Sequence, residues 1–286
     1  MVSQVSQPAN FSFSGFIRLT RLGNLLIIVA AQYFAALCLL KNVSLVNSNL
    51  FILSLSTVFI AAAGYIINDY YDVKIDLINK PDRVVVGKVL KRRVAMIAHT
   101  VLSVTGIGLG LLLSYKVALL NLACALLLWA YSNQLKRMPF IGNFVVSLLT
   151  GLSIYVVSLY FDPGNKLILA YSLFAFFFTF IREVVKDMED MKGDAEFGCQ
   201  TLPIVWGIRK TKGFLFIVSL VFLLSVGYIL FQIVGFWLLL FLIVPLAVLF
   251  YKLRSADTTS HYRYLSGYCK LIMLLGIASM IFFYQT

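Results

Sequence analysis

Nine apolar runs separated by short polar segments constrain the fold of this chain more than any other feature of its sequence. A membrane-spanning α-helix uses roughly 20 apolar residues, and most of the runs are close to that length. We therefore expect an all-α integral membrane protein with about nine transmembrane helices. The runs lie at about residues 22–40, 50–67, 94–114, 117–131, 143–161, 167–181, 213–233, 236–251 and 264–284.

The composition agrees with a bilayer as the solvent. The 286 residues are 61% hydrophobic and 13% charged, whereas soluble domains are about 45–50% apolar and about 25% charged. We expect a single polytopic domain over residues 1–286, because the runs leave no room for a soluble domain. Residues 1–15 form a polar N-terminal tail without Lys or Arg, unlike a secretory signal peptide. The third and fourth runs are separated by Tyr115 and Lys116, which predicts a tight helical hairpin.

Basic residues fall almost entirely on one side of the predicted membrane. Twenty of the 24 Lys and Arg residues lie in segments on the side of the N-terminus, and only Lys41, Lys116 and Lys166 lie on the other side. Cytoplasmic loops carry the excess of Lys and Arg. We therefore expect the N-terminus and the large loops in the cytoplasm and the C-terminus outside. The net charge of +12 then indicates anionic lipid head groups or an anionic substrate as partner, and no nucleic acid.

The first of two carboxylate clusters follows the second apolar run. Asn68, Asp72 and Asp76 recur at i, i+4 and i+8, with Asp69 beside them. If the helix extends past the membrane, this spacing places the three side chains on one face. Stacked like charges repel one another, so such a face is costly without a cation.

A second cluster follows the sixth run and repeats the spacing. Asp187, Asp190 and Asp194 recur at i, i+3 and i+7. The two segments around the clusters, residues 69–82 and 183–196, hold ten of the twelve carboxylates. Two such faces at cytoplasmic helix ends can converge on one site. All the ligands are oxygen atoms, which favours Mg²⁺ over Zn²⁺.

Basic residues beside the clusters could complete the binding of a polyanion. Mg²⁺ prefers one or two carboxylates together with substrate phosphate oxygens, so we expect a substrate such as a diphosphate. Cationic side chains would contact it, and the candidates are Arg83, Lys136, Arg137, Arg182 and Lys186.

At these residues the sequence resembles the UbiA superfamily of intramembrane prenyltransferases. The family motifs NDxxDxxxD and DxxxD match residues 68–76 and 190–194. Arg21 and Asn24 resemble the family's N-terminal Arg-Pro-x-Asn, and Tyr131 opens a segment that resembles its Tyr-Ser…Leu-Lys-Arg…Gly-Asn stretch. Residues 67–83 and 182–194 look most like digeranylgeranylglyceryl phosphate synthases. One departure is Val84, which stands where the family has proline.

The resemblance implies a helical bundle around a central cavity and a Mg²⁺-dependent transfer of a prenyl group. The donor is a prenyl diphosphate, the group is geranylgeranyl, and the acceptor is geranylgeranylglyceryl phosphate. Lys136 and Arg83 would stabilise the departing diphosphate, and Asp69 or Asp187 would take the acceptor's proton. The implied substrate contacts are Arg21, Asn24, Arg83, Tyr131, Lys136, Arg182 and Lys186, and the implied metal ligands are Asn68, Asp72, Asp76, Asp190 and Asp194.

Two alternatives stay open at this point. An aromatic acceptor of quinone synthesis would suit the same motifs, because they report on diphosphate and metal and not on the acceptor. A cation transporter is the remote alternative, since ionisable residues inside membranes mark ion paths. The carboxylates cluster at helix ends, which disfavours the transporter.

Overall fold

A computed structural model describes residues 13–40, 43–79, 84–233 and 237–284. Arg83, one of the predicted substrate contacts, lies outside the described residues. Within these ranges the chain is a series of α-helices. They are α1 (Phe13–Thr20), α2 (Leu22–Leu39), α3 (Ser48–Asn79), α4 (Arg92–Leu113), α5 (Tyr115–Asn133), α6 (Ile141–Phe161), α7 (Lys166–Glu196), α8 (Leu202–Ile233), α9 (Trp237–Arg254) and α10 (Thr259–Ser279).

Each of the nine apolar runs lies in a long helix of its own, from α2 to α10. Among the described residues, eight of these helices are long and apolar enough to cross a membrane. The all-α membrane fold predicted from the sequence is therefore confirmed. The predicted hairpin is present, but its turn is Ser114 alone, in an extended conformation, and Tyr115 and Lys116 already belong to α5.

The helices group into two compact units. Within the described residues, the first unit comprises those up to Val29 and Phe51–Gln134, and the second comprises Ala30–Leu50 and the residues from Leu135 onward.

In the first unit, α3 is longer than a bilayer requires. Its 32 residues span about 48 Å at 1.5 Å per residue, against about 30 Å for the hydrocarbon core of a membrane. The helix therefore continues without a break from its apolar part through residues 68–76.

Residues 84–90 form an apolar turn on the first unit. Val85, Val86 and Leu90 are buried against Leu19 of α1 and Ile66 of α3. Val84, which stands where the UbiA pattern has proline, is only 8% exposed. The departure from the pattern therefore adds an apolar side chain to a buried segment.

Helices α4 and α5 pack closely because a glycine faces a buried amide. The side chain of Asn121 is 4% exposed and donates a hydrogen bond of 3.1 Å to the backbone oxygen of Gly106. A Cβ atom at Gly110 would lie 2.7 Å from Nδ2 of the same Asn121. Glycine at position 110 thus leaves the space that the asparagine occupies.

In the second unit, α7 packs against α6, α8 and α10. Its buried side chains include Phe178, Ile181 and Val185, and they form one core with Phe222 of α8 and Leu265 of α10. The packing of this apolar half holds α7 in place, and the acidic residues that follow Ile181 continue along the same helix.

Replacing Gly110 by alanine is expected to lower the free energy of unfolding by about 1–3 kcal/mol, the usual cost of an overpacked contact. The matched control is Gly108→Ala on the same helix, where a Cβ atom meets nothing within 4 Å. That change should leave stability unchanged or raise it by up to about 1 kcal/mol, because alanine favours a helix over glycine. Thermal unfolding in detergent measures both, and equal stability of the two variants would contradict the close α4–α5 packing.

Candidate functional site

The first carboxylate cluster lies on the last turns of α3. Asn68, Asp69, Asp72 and Asp76 are all half-buried. Nδ2 of Asn68 donates a hydrogen bond of 2.9 Å to Oδ2 of Asp72. This contact between positions i and i+4 shows that the two side chains lie side by side on one helical face. One oxygen of Asp72 is therefore oriented by its neighbour.

Arg21 provides a positive charge for this cluster. It lies between α1 and α2, with a φ of 51° that ends one helix and starts the next. Its Nη2 forms an ion pair of 2.7 Å with Oδ1 of Asp69, and its guanidinium lies 5.1 Å from the centre of the Tyr65 ring. Burial opposes the charged form of Arg21, but the charge and hydrogen bond of Asp69, together with Tyr65 and Asp76, outweigh it and raise the arginine pKa. Asp69 is thus held by a cation.

The chain at Arg21 also places Asn24. The backbone N–H of Asn24 donates to the backbone oxygen of Arg21 over 2.8 Å, which closes the first turn of α2. The half-buried Asn24 and the exposed Arg21 are therefore held in one turn, although the sequence signal for both was the family resemblance alone.

The second cluster lies on the acidic half of α7, where a neutral partner orients Asp187. Nδ2 of Asn143, a buried residue near the start of α6, donates a hydrogen bond of 2.8 Å to Oδ2 of Asp187. Asp190 and Asp194 are half-buried on the following turns. Asn143 was not among the predicted site residues, although the Gly-Asn pair of the resembling stretch could have identified it.

Glu183 links the two predicted substrate-binding cations of α7. Its Oε1 accepts a hydrogen bond of 2.6 Å from Nη1 of Arg182, and its Oε2 lies 3.5 Å from Nζ of Lys186. The Nε atom of Arg182 is buried and has no hydrogen-bond partner in the described part of the chain. Glu183 therefore orients a guanidinium that keeps a donor for another acceptor.

An arginine of α10 forms an ion pair with the acidic half of α7. Nε of Arg263 donates to Oε1 of Glu189 over 2.8 Å, and the arginine side chain is 76% exposed. No feature of the sequence connected the two residues, because they are far apart in the chain and only packing of α10 against α7 brings them together.

Lys136 lies on a short 3-10 turn, Leu135–Arg137, that is packed against α6. A Cβ atom at Gly142 would lie 2.8 Å from Cα of Lys136 and 3.0 Å from the backbone oxygen of Leu135. Glycine at position 142 is therefore required for the turn to approach the helix. Lys136 itself is half-buried.

The same turn is attached to the segment that ends α7. Gly198 has a φ of 70° and lets the chain leave the helix, and the backbone N–H of Cys199 donates to the backbone oxygen of Asp194 over 3.0 Å. The N–H of Gln200 then donates to the oxygen of Arg137 over 2.9 Å. The end of the second cluster and the Lys136 turn are thus joined by backbone hydrogen bonds.

The remaining predicted contact, Tyr131, is half-buried on the last turns of α5. Within the described residues, no three His, Cys, Asp or Glu side chains form a group arranged to hold a metal ion. The assignments of metal ligands and substrate contacts stay predictions.

A model of the UbiA prenyltransferase family matches residues 25–283. A digeranylgeranylglyceryl phosphate synthase of Saccharolobus solfataricus is 35% identical over 228 residues, which are 78% of this chain and 80% of that protein. A protein of the same name from Sulfurisphaera tokodaii is 42% identical over 154 residues, which are 53% of this chain and 55% of the relative. The chain thus spans about half the length of the second relative and four fifths of the first.

Solved structures show the same fold. A structure of digeranylgeranylglyceryl phosphate synthase in membranes has a TM-score of 0.77 at 24% identity and covers 96% of this chain and 99% of that one. A UbiA homologue from Archaeoglobus fulgidus, bound to GPP and Mg²⁺, has a TM-score of 0.74 at 17% identity and covers 95% and 100%.

Proposed function

The chain belongs to the UbiA prenyltransferase family, and from this premise we propose that it transfers a geranylgeranyl group from geranylgeranyl diphosphate to geranylgeranylglyceryl phosphate. In this reaction the allylic C–O bond of the donor breaks, the diphosphate leaves, and the acceptor's hydroxyl oxygen forms the new C–O bond. The hydroxyl proton passes to a base. The observation that carries the proposal is the pair of carboxylate clusters on α3 and α7, combined with relatives that bear this activity as their name.

Mg²⁺ suits the donor set of these clusters. We assign Asn68, Asp72, Asp76, Asp190 and Asp194 as the residues that hold it, all of them half-buried oxygen donors. Hard oxygen ligands with open positions for phosphate are the ordinary environment of Mg²⁺ in proteins. When bound, the metal would neutralise negative charge on the diphosphate. The homologue bound to GPP and Mg²⁺ supports the use of Mg²⁺ with a prenyl diphosphate.

The cationic side chains would bind the diphosphate and stabilise it as it leaves. Lys136 lies on a turn whose backbone is held by Gly142 and Gln200, and its ammonium group would stabilise the negative charge that develops on the diphosphate. Arg182 keeps its buried Nε donor, which supports a contact with a phosphate oxygen. Lys186 would act with them. We also keep Arg21, Asn24, Arg83 and Tyr131 as proposed substrate contacts.

Of the two candidate bases, the structure favours Asp187 over Asp69. The ion pair with Arg21 compensates the charge of Asp69 and already occupies one of its carboxylate oxygens. Asp187 is held by the neutral amide of Asn143, which orients the carboxylate without adding a positive charge. Asp187 is therefore proposed to accept the hydroxyl proton, and Asp69 to fix the position of Arg21.

The membrane orientation is also part of the proposal. We infer that the N-terminus and both carboxylate clusters face the cytoplasm and that the C-terminus lies outside. The 20 to 3 distribution of basic residues supports this orientation. The donor diphosphate would then enter from the cytoplasmic side, while its hydrocarbon chain stays in the apolar part of the protein.

Purified protein given Mg²⁺ and radiolabelled geranylgeranyl diphosphate is expected to label geranylgeranylglyceryl phosphate and to leave hydroxybenzoate and dihydroxynaphthoate unlabelled. The measurement is thin-layer separation of the products from parallel incubations, with an EDTA-treated sample as the metal-free control. A product with an aromatic acceptor instead would show that the family assignment holds but the proposed acceptor is wrong.

Variants of the carboxylates should separate metal binding from proton transfer. Asp72→Asn and Asp194→Asn are expected to raise the Mg²⁺ concentration needed for half-maximal activity, because each loses an anionic ligand. Asp187→Asn is expected to lower kcat by about 10²–10⁴-fold even at saturating Mg²⁺, the usual contribution of a general base.

The matched control for these variants is Asp257→Asn, an exposed carboxylate outside both clusters that is paired with Lys212. Its kinetics should equal those of the parent chain. Full activity of Asp72→Asn or Asp194→Asn at limiting Mg²⁺ would refute the ligand assignment, and full turnover by Asp187→Asn would refute the base.

A fluorescent protein fused after Thr286 tests the orientation. Such a reporter folds poorly outside the cytoplasm, so we expect a dark fusion, whereas a phosphatase fused at the same position should be active. The same two reporters placed before Met1 serve as the opposite control. A bright C-terminal fusion with an inactive phosphatase would reverse the proposed topology.

A further inference from the structure

A large cavity lies in the second unit, away from the acidic half of α7. Its volume is about 1180 Å³, at or above the upper end of ordinary ligand pockets. The lining comes from the end of α2, the first turns of α7, and parts of α8, α9 and α10. The two residues Phe282 and Tyr284 at its rim are 69% and 57% exposed, so the cavity opens to the surface of the helices.

The cavity is distant from the second carboxylate cluster. On α7 it is lined by residues between Leu167 and Phe174, whereas the proposed base is Asp187. From Tyr171 to Asp187 the rise of an α-helix gives a separation of about 24 Å along the axis. The cavity and the second cluster therefore lie at opposite ends of the same helix.

The hydroxyl and amide groups of the lining already have partners. The hydroxyl groups of Tyr171 and Ser279 are hydrogen-bonded to each other over 2.9 Å, and Ser279 donates to the backbone oxygen of Gly276 over 2.7 Å. Asn165 accepts from the backbone of Ile168 and donates to Asp162. A buried water needs two to four polar partners, and these groups are engaged within the protein.

The apolar lining is shaped by a glycine. A Cβ atom at Gly276 of α10 would collide with the ring of Phe174 on α7, and both residues line the cavity. The Phe174 ring is itself fixed against Phe178, with 4.7 Å between the ring centres. The wall is therefore a packed surface and not the result of loose side chains.

We propose that this cavity binds one hydrocarbon chain of a membrane lipid, at a site separate from the proposed diphosphate site. A hydrocarbon chain in an apolar cavity of this size would make dispersion contacts with the walls, and the hydrogen-bonded hydroxyl and amide groups of the lining offer water little. The bilayer supplies a ligand of matching chemistry at the exposed rim. The inference does not depend on the acceptor or the reaction proposed above.

Photo-crosslinking of the full chain in nanodiscs tests this site. The discs contain phosphatidylcholine with a small fraction of a phosphatidylcholine that carries a diazirine at the end of one acyl chain. After illumination, peptide mass spectrometry should find the cross-links concentrated on residues 37–40, 167–174 and 272–284. Cross-links spread evenly over the exposed faces of all helices would indicate ordinary surrounding lipid and overturn the proposal.

Two variants that fill the cavity and one matched control test whether the cross-links depend on the cavity itself. Leu275→Trp from α10 and Ala170→Leu from α7 add volume to the lining and should abolish the concentrated cross-links. Leu271→Trp lies one turn before Leu275 and has a similar exposure of 52% against 59%, but it does not line the cavity, so its cross-links should persist. Each variant is used only if it elutes as a monodisperse species, and unchanged cross-links in both filling variants would overturn the proposal.

An excess of geranylgeranyl diphosphate with Mg²⁺ distinguishes a separate site from an extension of the donor site. The cross-links should persist, because the proposed lipid site is independent of the carboxylates. Their loss on addition of the diphosphate would show that the cavity accommodates the donor chain and would overturn the assignment to a separate lipid site.

Discussion

The structure depends above all on balancing negative charge at the ends of apolar helices. Carboxylates gathered in a region of low dielectric repel one another and favour their neutral form. The chain counters this with specific cations: Arg21 pairs with Asp69, Arg182 and Lys186 with Glu183, and Arg263 with Glu189. Glu183 and Glu189 are not among the residues proposed to bind Mg²⁺, and their ion pairs stabilise the acidic half of α7.

The lengths of α3 and α7 determine where each carboxylate cluster lies. The helices α3 and α7 continue beyond their apolar parts without a break, so their backbone hydrogen bonds are satisfied. The spacing of the aspartates along the sequence therefore sets their positions on the face of each helix. Side chains on such elements are held more accurately than side chains on loops. Backbone hydrogen bonds attach the turn that carries Lys136 to these helices, because Gln200 joins this turn to the segment that ends α7.

Much of the fold could be predicted because a bilayer restricts the possible structures. The helices over the apolar runs, the hairpin of α4 and α5 and the helical carboxylate clusters follow from hydropathy and spacing, although the turn lies at Ser114 and not at Tyr115 and Lys116. Two features escaped this reasoning. The amide of Asn143 contacts Asp187, 44 positions away, and Arg263 contacts Glu189, 74 positions away. Periodicity describes only neighbours on one helix, so contacts between helices leave no periodic signal.

Residue types and their spacing were enough to predict an all-α membrane protein, the positions of its apolar runs and the two clusters of oxygen donors. These properties depend on residue type and on spacing between near neighbours, and both can be read directly from the sequence. The packing of the helices, in contrast, pairs Asp69 with the cation of Arg21 and Asp187 with the neutral amide of Asn143. It also placed an apolar cavity at the end of α7 opposite the acidic cluster. Both results arise from the packing of helices, where a glycine such as Gly142 or Gly276 sets how closely two segments approach.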